Sequence, residues 1–197
     1  MIERAMRRPR PFATSTATGS SALRIGTSGW QYRDWRGAVY PRDAPTREWL
    51  RLYADDFNTV EINNSFYRLP ERTQFAEWAN TVPADFCFAV KASRYLTHIK
   101  RLKTPAEPVA RLLGAAQGLG PKLGPVLLQL PPNLRADCDL LDGALRRFPS
   151  NVKVAVEFRH SSWDSAEVDA VLEASDATRV LADRNGRVDG WRTANWV

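Results

Sequence analysis

The chain has 197 residues, 44% of them hydrophobic and 25% charged, with a formal net charge of +6; this is the composition of one globular domain with a sizeable core and excludes a disordered chain. Its longest apolar stretches, such as 126–130, fall far short of the roughly 20 residues a membrane-spanning helix needs. Arg4, Arg7, Arg8 and Arg10 against Glu3 supply +3 of the charge before any periodic pattern begins, and the other Lys and Arg are scattered along helical segments, which argues against a nucleic-acid binder.

Residues 1–22 read as a disordered basic leader. They mix arginine with Pro, Ser, Thr and Gly, without the continuous apolar segment of a secretory signal or the amphipathic pattern of a transit peptide. From there the chain alternates short β-rich runs (23–26, 59–62, 86–90, 126–130, 153–156 and 178–182) with helical segments at 46–57, 73–80, 105–119, 137–148 and 165–174. From Gly26 through Glu61, Lys91, Gln129, Glu157 and Asp183 the intervals run from 26 to 38 residues, close to the roughly 31 per unit of an eight-unit (β/α) barrel. A parallel α/β sheet follows, as a TIM-type barrel or as an open doubly wound sheet with the same alternation. No strand is followed by a GxGxxG or GxxxxGK[ST] phosphate loop, and the sequence leaves the cofactor unknown.

In parallel β/α folds the groups just past the carboxyl ends of the strands face the site. Here the first run leads into Gly26, Thr27, Ser28, Gly29, Trp30, Gln31 and Tyr32, and the second ends on Glu61 and leads to Asn63 and Tyr67. Lys91 ends the third, Gln129 the fourth and Glu157 the fifth, with Arg159, His160 and Trp163 after it, and Asp183 follows the sixth.

Glu61 and Glu157 are candidate acid/base groups, because a carboxylate pair suits proton transfer when its environments split the two pKa values. Lys91, ending an apolar strand, is a candidate base or anion holder. His98 and His160 are the two histidines, and His98 is taken as a proton shuttle. Arg159 would hold an anion. Trp30, Tyr32, Tyr67 and Trp163 would stack on a ligand that Asn63, Gln129 and Asp183 hydrogen-bond. For each carboxylate the alternative is a buried glutamate bridged to Lys91 or Arg159. No local ligand spacing supports a metal site, and Trp49 and Trp78 are assigned to packing between helix and sheet. Cys87 and Cys138 carry no metal or redox signature; they read as a buried and a surface thiol in a reducing cytoplasm.

The string Ile25-Gly26-Thr27-Ser28-Gly29-Trp30, followed by Trp35-Arg36-Gly37 and Tyr40-Pro41, resembles the opening signature of the YecE-like family, domain of unknown function 72. Further blocks resemble it in order: Thr59 to Tyr67, Phe88-Ala89-Val90-Lys91, Leu96-Thr97-His98, Leu128-Gln129-Leu130-Pro131-Pro132, and Ala155 to His160 with Ser162-Trp163. The resemblance spans 23–197 and implies an incomplete TIM-like barrel, with about six of eight units in this chain, because members continue past a segment like Trp191 to Val197 into two further strand units. It implies no reaction, since the family is named for the absence of one. The expected function is binding of a small polar, sugar-like or phosphorylated ligand at the barrel mouth, with acid/base chemistry. Two alternatives stay open: a non-catalytic protein binding nucleic acid or a protein partner, and a truncated gene product without function. Exposed strand edges would favour self-association.

Overall fold

The computed structural model describes residues 23–184, 187–188 and 193–196. The basic leader expected over 1–22 lies outside them.

Five parallel strands form one sheet: β1 (Thr59–Ile62), β2 (Cys87–Lys91), β3 (Leu123–Gln129), β4 (Val154–Glu157) and β5 (Thr178–Arg179). They lie side by side in chain order, β1-β2-β3-β4-β5. A doubly wound sheet reverses direction at a switch point; this one does not, and it is open rather than closed on itself. The crossovers are α2 (Arg72–Thr81), α3 (Ala106–Ala116), α4 (Cys138–Leu145) and α5 (Ala166–Ala174), with α1 (Trp49–Asp56) preceding β1. Because parallel crossovers are right-handed, stepping always in one direction sets these helices on one face of the sheet. The contacts α1 to α2, α2 to α3 and α4 to α5 agree.

The helices form where the sequence supplies an apolar stripe. In α1 the buried residues are Trp49, Leu50, Tyr53 and Ala54, at helical spacing; in α3 they include Val109, Leu112 and Ala116. Asp137 caps α4 by accepting from the Leu140 amide at 3.0 Å, and Ser165 caps α5 by accepting from the Val168 amide. Against this layer the sheet turns Val60, Ile62, Phe88, Val90, Val126, Leu128, Val154 and Val156, all buried. Each such side chain contributes about 1.5–3 kcal/mol of burial. The other face stays half-buried and carries Glu61, Cys87, Ala89, Lys91, Leu127, Gln129, Ala155 and Glu157.

Three expectations change. The run at 23–26 forms no ladder with β1. The Asn58 side chain takes over the pairing, accepting from the Ile25 amide at 3.0 Å and donating to the Leu23 carbonyl at 3.1 Å. A single backbone bond, from the Glu61 amide to the Thr27 carbonyl, follows. The segment lies so close that a Cβ on Gly26 would stand 2.0 Å from the Thr59 carbonyl oxygen. The sixth run is also shorter than expected: β5 ends at Arg179, and Asp183 opens a two-residue antiparallel pairing, β6 (Asp183–Arg184) with β7 (Arg187–Val188). Finally, Cys87 and Cys138 are both half-buried free thiols rather than one core and one surface group. Cys138 opens α4 and packs against the core.

Candidate functional site

Parallel register steps the polar residues diagonally along the half-buried face, Lys91 two residues beyond the level of Glu61 and the Gln129–Glu157 pair two residues beyond that of Lys91. Gln129 pairs with Glu157 across β3 and β4, Lys91 with Leu127 across β2 and β3, and Glu61 with Ala89 across β1 and β2. Period-two alternation points each polar side chain away from the helices, because its neighbours Ile62, Val90, Leu128 and Val156 are the ones buried beneath them.

On this face the groups bond to one another. Lys91 Nζ stands 3.7 Å from Glu61 Oε1. Gln129 donates through Nε2 to Glu157 Oε2 at 2.6 Å, and Arg159 donates through Nε to Glu157 Oε1 at 2.8 Å. The two carboxyls therefore sit in opposite environments. Burial, reinforced by the charge of Glu157, pushes Glu61 above its ordinary range even though the Lys91 ammonium pulls it down. Burial would raise Glu157 too, but hydrogen bonds from Gln129 and Arg159, with the charges of Arg159 and Lys91, bring it below its ordinary value.

The loop after β2 begins directly beyond Lys91. It runs through a π-helical turn, Tyr95–Ile99, then through Arg101, Leu102 and Thr104, which have positive φ of 51°, 64° and 50° without being glycine. Such backbone persists only where its surroundings over-determine it. Leu102 is anchored in the core, and the Arg101 guanidinium donates to Asn133 Oδ1 at 3.0 Å and to the Asn133 carbonyl at 2.8 Å, pinning the loop to the one after β3. His98 lies on this loop, its ring 5.0 Å from that of Phe66, which also lies beneath the Lys91 ammonium at 5.3 Å. Burial and the charges of Arg159, Arg94, Lys91 and Arg101 hold the His98 imidazole below the ordinary histidine range.

Two buried hydroxyls set this geometry, and sequence reasoning assigned neither a role. Ser65 Oγ lies 2.6 Å from both the Ile62 and the Lys91 carbonyl oxygens, tying the end of β1 to that of β2. Thr97 Oγ1 donates to the Ser93 carbonyl and lies 2.9 Å from His98 Nδ1. Arg179 was missed as well. It pairs with the buried Asp169 of α5 and with the exposed Asp164, each at 3.0 Å, and lies over the Phe158 ring.

The expected stacking residues divide. Trp163 is buried, stacked on Phe158 at 4.8 Å with its indole N–H bound to the Leu134 carbonyl. Trp30 is buried edge-on against Trp78 at 5.1 Å. Neither presents a face to a ligand, because apolar packing claims both. Tyr32 is partly exposed, lies against Trp35 and donates to the Ser28 carbonyl. Tyr67 is 78% exposed and forms, with Phe66, Arg68, Arg94, Tyr95 and Arg111, part of the wall of a cleft of about 500 Å³ beside the loop. Asn63 opens the turn leading to Tyr67. Asp183, on β6, is exposed and not on the parallel sheet.

A wider concavity of about 970 Å³ sits at the amino-terminal ends of the strands, lined by Phe86, Cys87, Leu123, Lys153 and Trp196 among others. It is remote from the carboxylates and holds no comparable set of bonded polar groups. Among the described residues no three His, Cys, Asp or Glu converge as a metal site, and no helix is long and apolar enough to cross a membrane.

The model of the family described as "Protein of unknown function DUF72" matches residues 24–197. UPF0759 protein YunF of Bacillus subtilis (strain 168) is 30% identical over 151 residues, which cover 72% of this chain and 52% of the relative. UPF0759 protein YecE of Escherichia coli (strain K12) is 30% identical over 124 residues, 59% of this chain and 46% of the relative. The chain thus spans about half the length of the curated relatives it matches. Among solved structures, a DUF72 family protein of Thermotoga maritima MSB8 superposes with a TM-score of 0.76 at 29% identity, covering 87% of this chain and 71% of that one. One from Enterococcus faecalis V583 gives a TM-score of 0.68 at 20% identity, covering 80% and 60%, a likeness of fold alone.

Proposed function

This chain belongs to the DUF72 family of proteins of unknown function, and we propose that the carboxyl end of its sheet is a catalytic mouth that performs acid/base chemistry on a small polar, sugar-like or phosphorylated ligand. The observation that carries this reading is the split between Glu61 and Glu157: burial drives one up, while Gln129 and Arg159 hold the other down. Two carboxyls on one face with their proton affinities pushed apart can act as donor and acceptor in one reaction. Glu61 gives the proton, Glu157 receives one, and Lys91 stabilises negative charge developing between them.

The sheet is read as a segment of a TIM-type barrel, comprising residues 23–197. Its unreversed strand order and helices on one face support this, as does the apolar character of Ala89, Leu127 and Ala155 beside the polar groups on the other face. The two free thiols fit a reducing, cytoplasmic setting.

The test is a binding and turnover screen of sugars, polyols and their phosphate esters against the full chain and its Glu157→Gln variant. Loss of binding or turnover with unchanged thermal unfolding is expected. A variant that binds as before, or one that merely unfolds, makes Glu157 a structural ion-pair partner and removes the proposal.

A further inference from the structure

We infer that the cleft beside the loop after β2 is a second ligand site, outside the carboxylate mouth, and that it takes a nucleoside monophosphate. It uses neither Glu61 nor Glu157 and so stands apart from the acid/base reading.

The cleft holds about 500 Å³, within the roughly 300–1,000 Å³ of small-molecule sites. Three elements meet around it. The connection from β1 to α2 supplies Tyr67, Arg68 and Glu71, and the start of the loop after β2 supplies Arg94 and Tyr95. From α3 come Pro108, Arg111 and Leu112, whose spacing of three and four residues sets them on one face of that helix. Pro108 and Leu112 are buried and give the cleft an apolar lining.

Apolar groups are also left in solvent around it: Tyr67 is 78% exposed, Ile99 60% and Tyr95 41%. One such residue on a surface is ordinary, but three around a single concavity mark a binding surface. Tyr67 is braced at a right angle against Phe66, with ring centroids 5.0 Å apart, and the Lys100 ammonium lies 5.4 Å from the centre of the Tyr95 ring. Each tyrosine is thus supported by a neighbour while remaining open enough to stack on a planar ring.

The charges are those a phosphate needs. Arg68 and Arg94 are exposed and make no hydrogen bond or ion pair among the described residues. Arg111 pairs only with Glu107 of its own helix, at 3.4 Å, a surface pair that contributes little and yields readily to a dianion. Guanidinium forks match phosphate oxygens, and they are less strongly hydrated than ammonium. The Ser93 hydroxyl, also on the cleft, accepts from the Leu96 amide at 3.4 Å and keeps its own hydrogen to donate.

Glu71 decides between ligands. A carboxylate among the arginines repels a wholly anionic partner such as an acidic peptide, but it accepts from sugar hydroxyls or from the amino group of a base. A nucleoside monophosphate meets the whole set, with a planar ring for the tyrosines, a phosphate for the arginines and donors for Glu71.

Calorimetric titration of the full chain with adenosine monophosphate tests this. Saturable binding is expected, with adenosine and inorganic phosphate each at least about tenfold weaker, since each lacks one half of the recognition. Arg94→Gln and Tyr67→Ala, both at exposed positions, should each weaken binding of the nucleotide about tenfold and leave thermal unfolding unchanged. Absence of saturable binding overturns the inference, and so does inorganic phosphate binding as tightly as the nucleotide. Nucleotide binding that both variants leave intact would lie elsewhere on the chain and overturns it too. Displacement of the nucleotide by a polyglutamate peptide at equal concentration would assign the cleft to an acidic protein partner instead.

Discussion

The Gln129 side-chain amide lies 2.6 Å from Glu157 Oε2, directly across the β3–β4 register. The bond is made between strands whose helix-facing residues, Leu128 and Val156, are fully buried, so the donor has little room to turn away. It is one of the contacts that keep Glu157 ionised. Replacing Gln129 with Met keeps the length and removes the donor. The Glu157 carboxyl should then titrate at higher pH, and stability should fall by about 1.5–3 kcal/mol, the worth of a hydrogen bond to a charged group. Carboxyl carbon NMR against pH checks it; an unmoved Glu157 titration would mean that Arg159 and Lys91 hold the charge without Gln129.

The pH dependence of folding follows from three shifted groups. Glu157, lowered in the fold, contributes stability that is present above its unfolded value near 4.5 and lost as pH falls through its folded value. Glu61, raised, does the reverse: its contribution is complete below 4.5 and is lost as pH rises through its folded value. His98 is also lowered, so its contribution is present above 6.5 and declines as pH falls from there towards its folded value. Urea unfolding across this range should show the chain losing stability relative to His98→Gln as pH falls below 6.5, since the variant lacks that contribution. An unaltered slope in the variant would remove His98 as its cause.

Arg179 and Asp169 are 7% and 6% exposed and 3.0 Å apart, with Asp169 Oδ2 buried without a partner among the described residues. Arg179→Met leaves a bare carboxylate inside the helix layer and should cost about 3–5 kcal/mol. Combining it with Asp169→Leu should recover most of that loss, since two apolar groups replace both charges. Denaturant midpoints of the two variants decide the point, and a double variant as unstable as the single one would show that Arg179 works mainly through Asp164 and the Trp163 carbonyl.

Glycine substitutions should separate close approach from mere flexibility. Gly26→Ala drives a Cβ to within 2.0 Å of the Thr59 carbonyl oxygen and should displace the 23–27 segment from β1, with a loss above about 2 kcal/mol. Gly143→Ala, inside α4 with nothing within 4 Å of the added carbon, should gain about 0.5–1 kcal/mol. Thermal melts of the pair would contradict this if the two shifts had the same sign.

The sequence by itself determined the strands at 59–62, 86–90, 126–130 and 153–156 to within a few residues, and the alternation with helices, because period-two and period-3.6 burial are local properties that apolar spacing records. It also identified Glu61, Lys91, Gln129 and Glu157 as strand-end residues, since polar side chains ending apolar strands are visible in one dimension. The partners of those residues were decided only in three dimensions. Register set Gln129 against Glu157, and the Asn133 clamp, 32 residues from Arg101, fixed the loop that carries His98. Tertiary packing likewise took Trp30 and Trp163 into the core and ended β5 at Arg179. An indole reads the same in sequence whether it faces a ligand or a phenylalanine, and only the neighbours that the fold brings to it settle which.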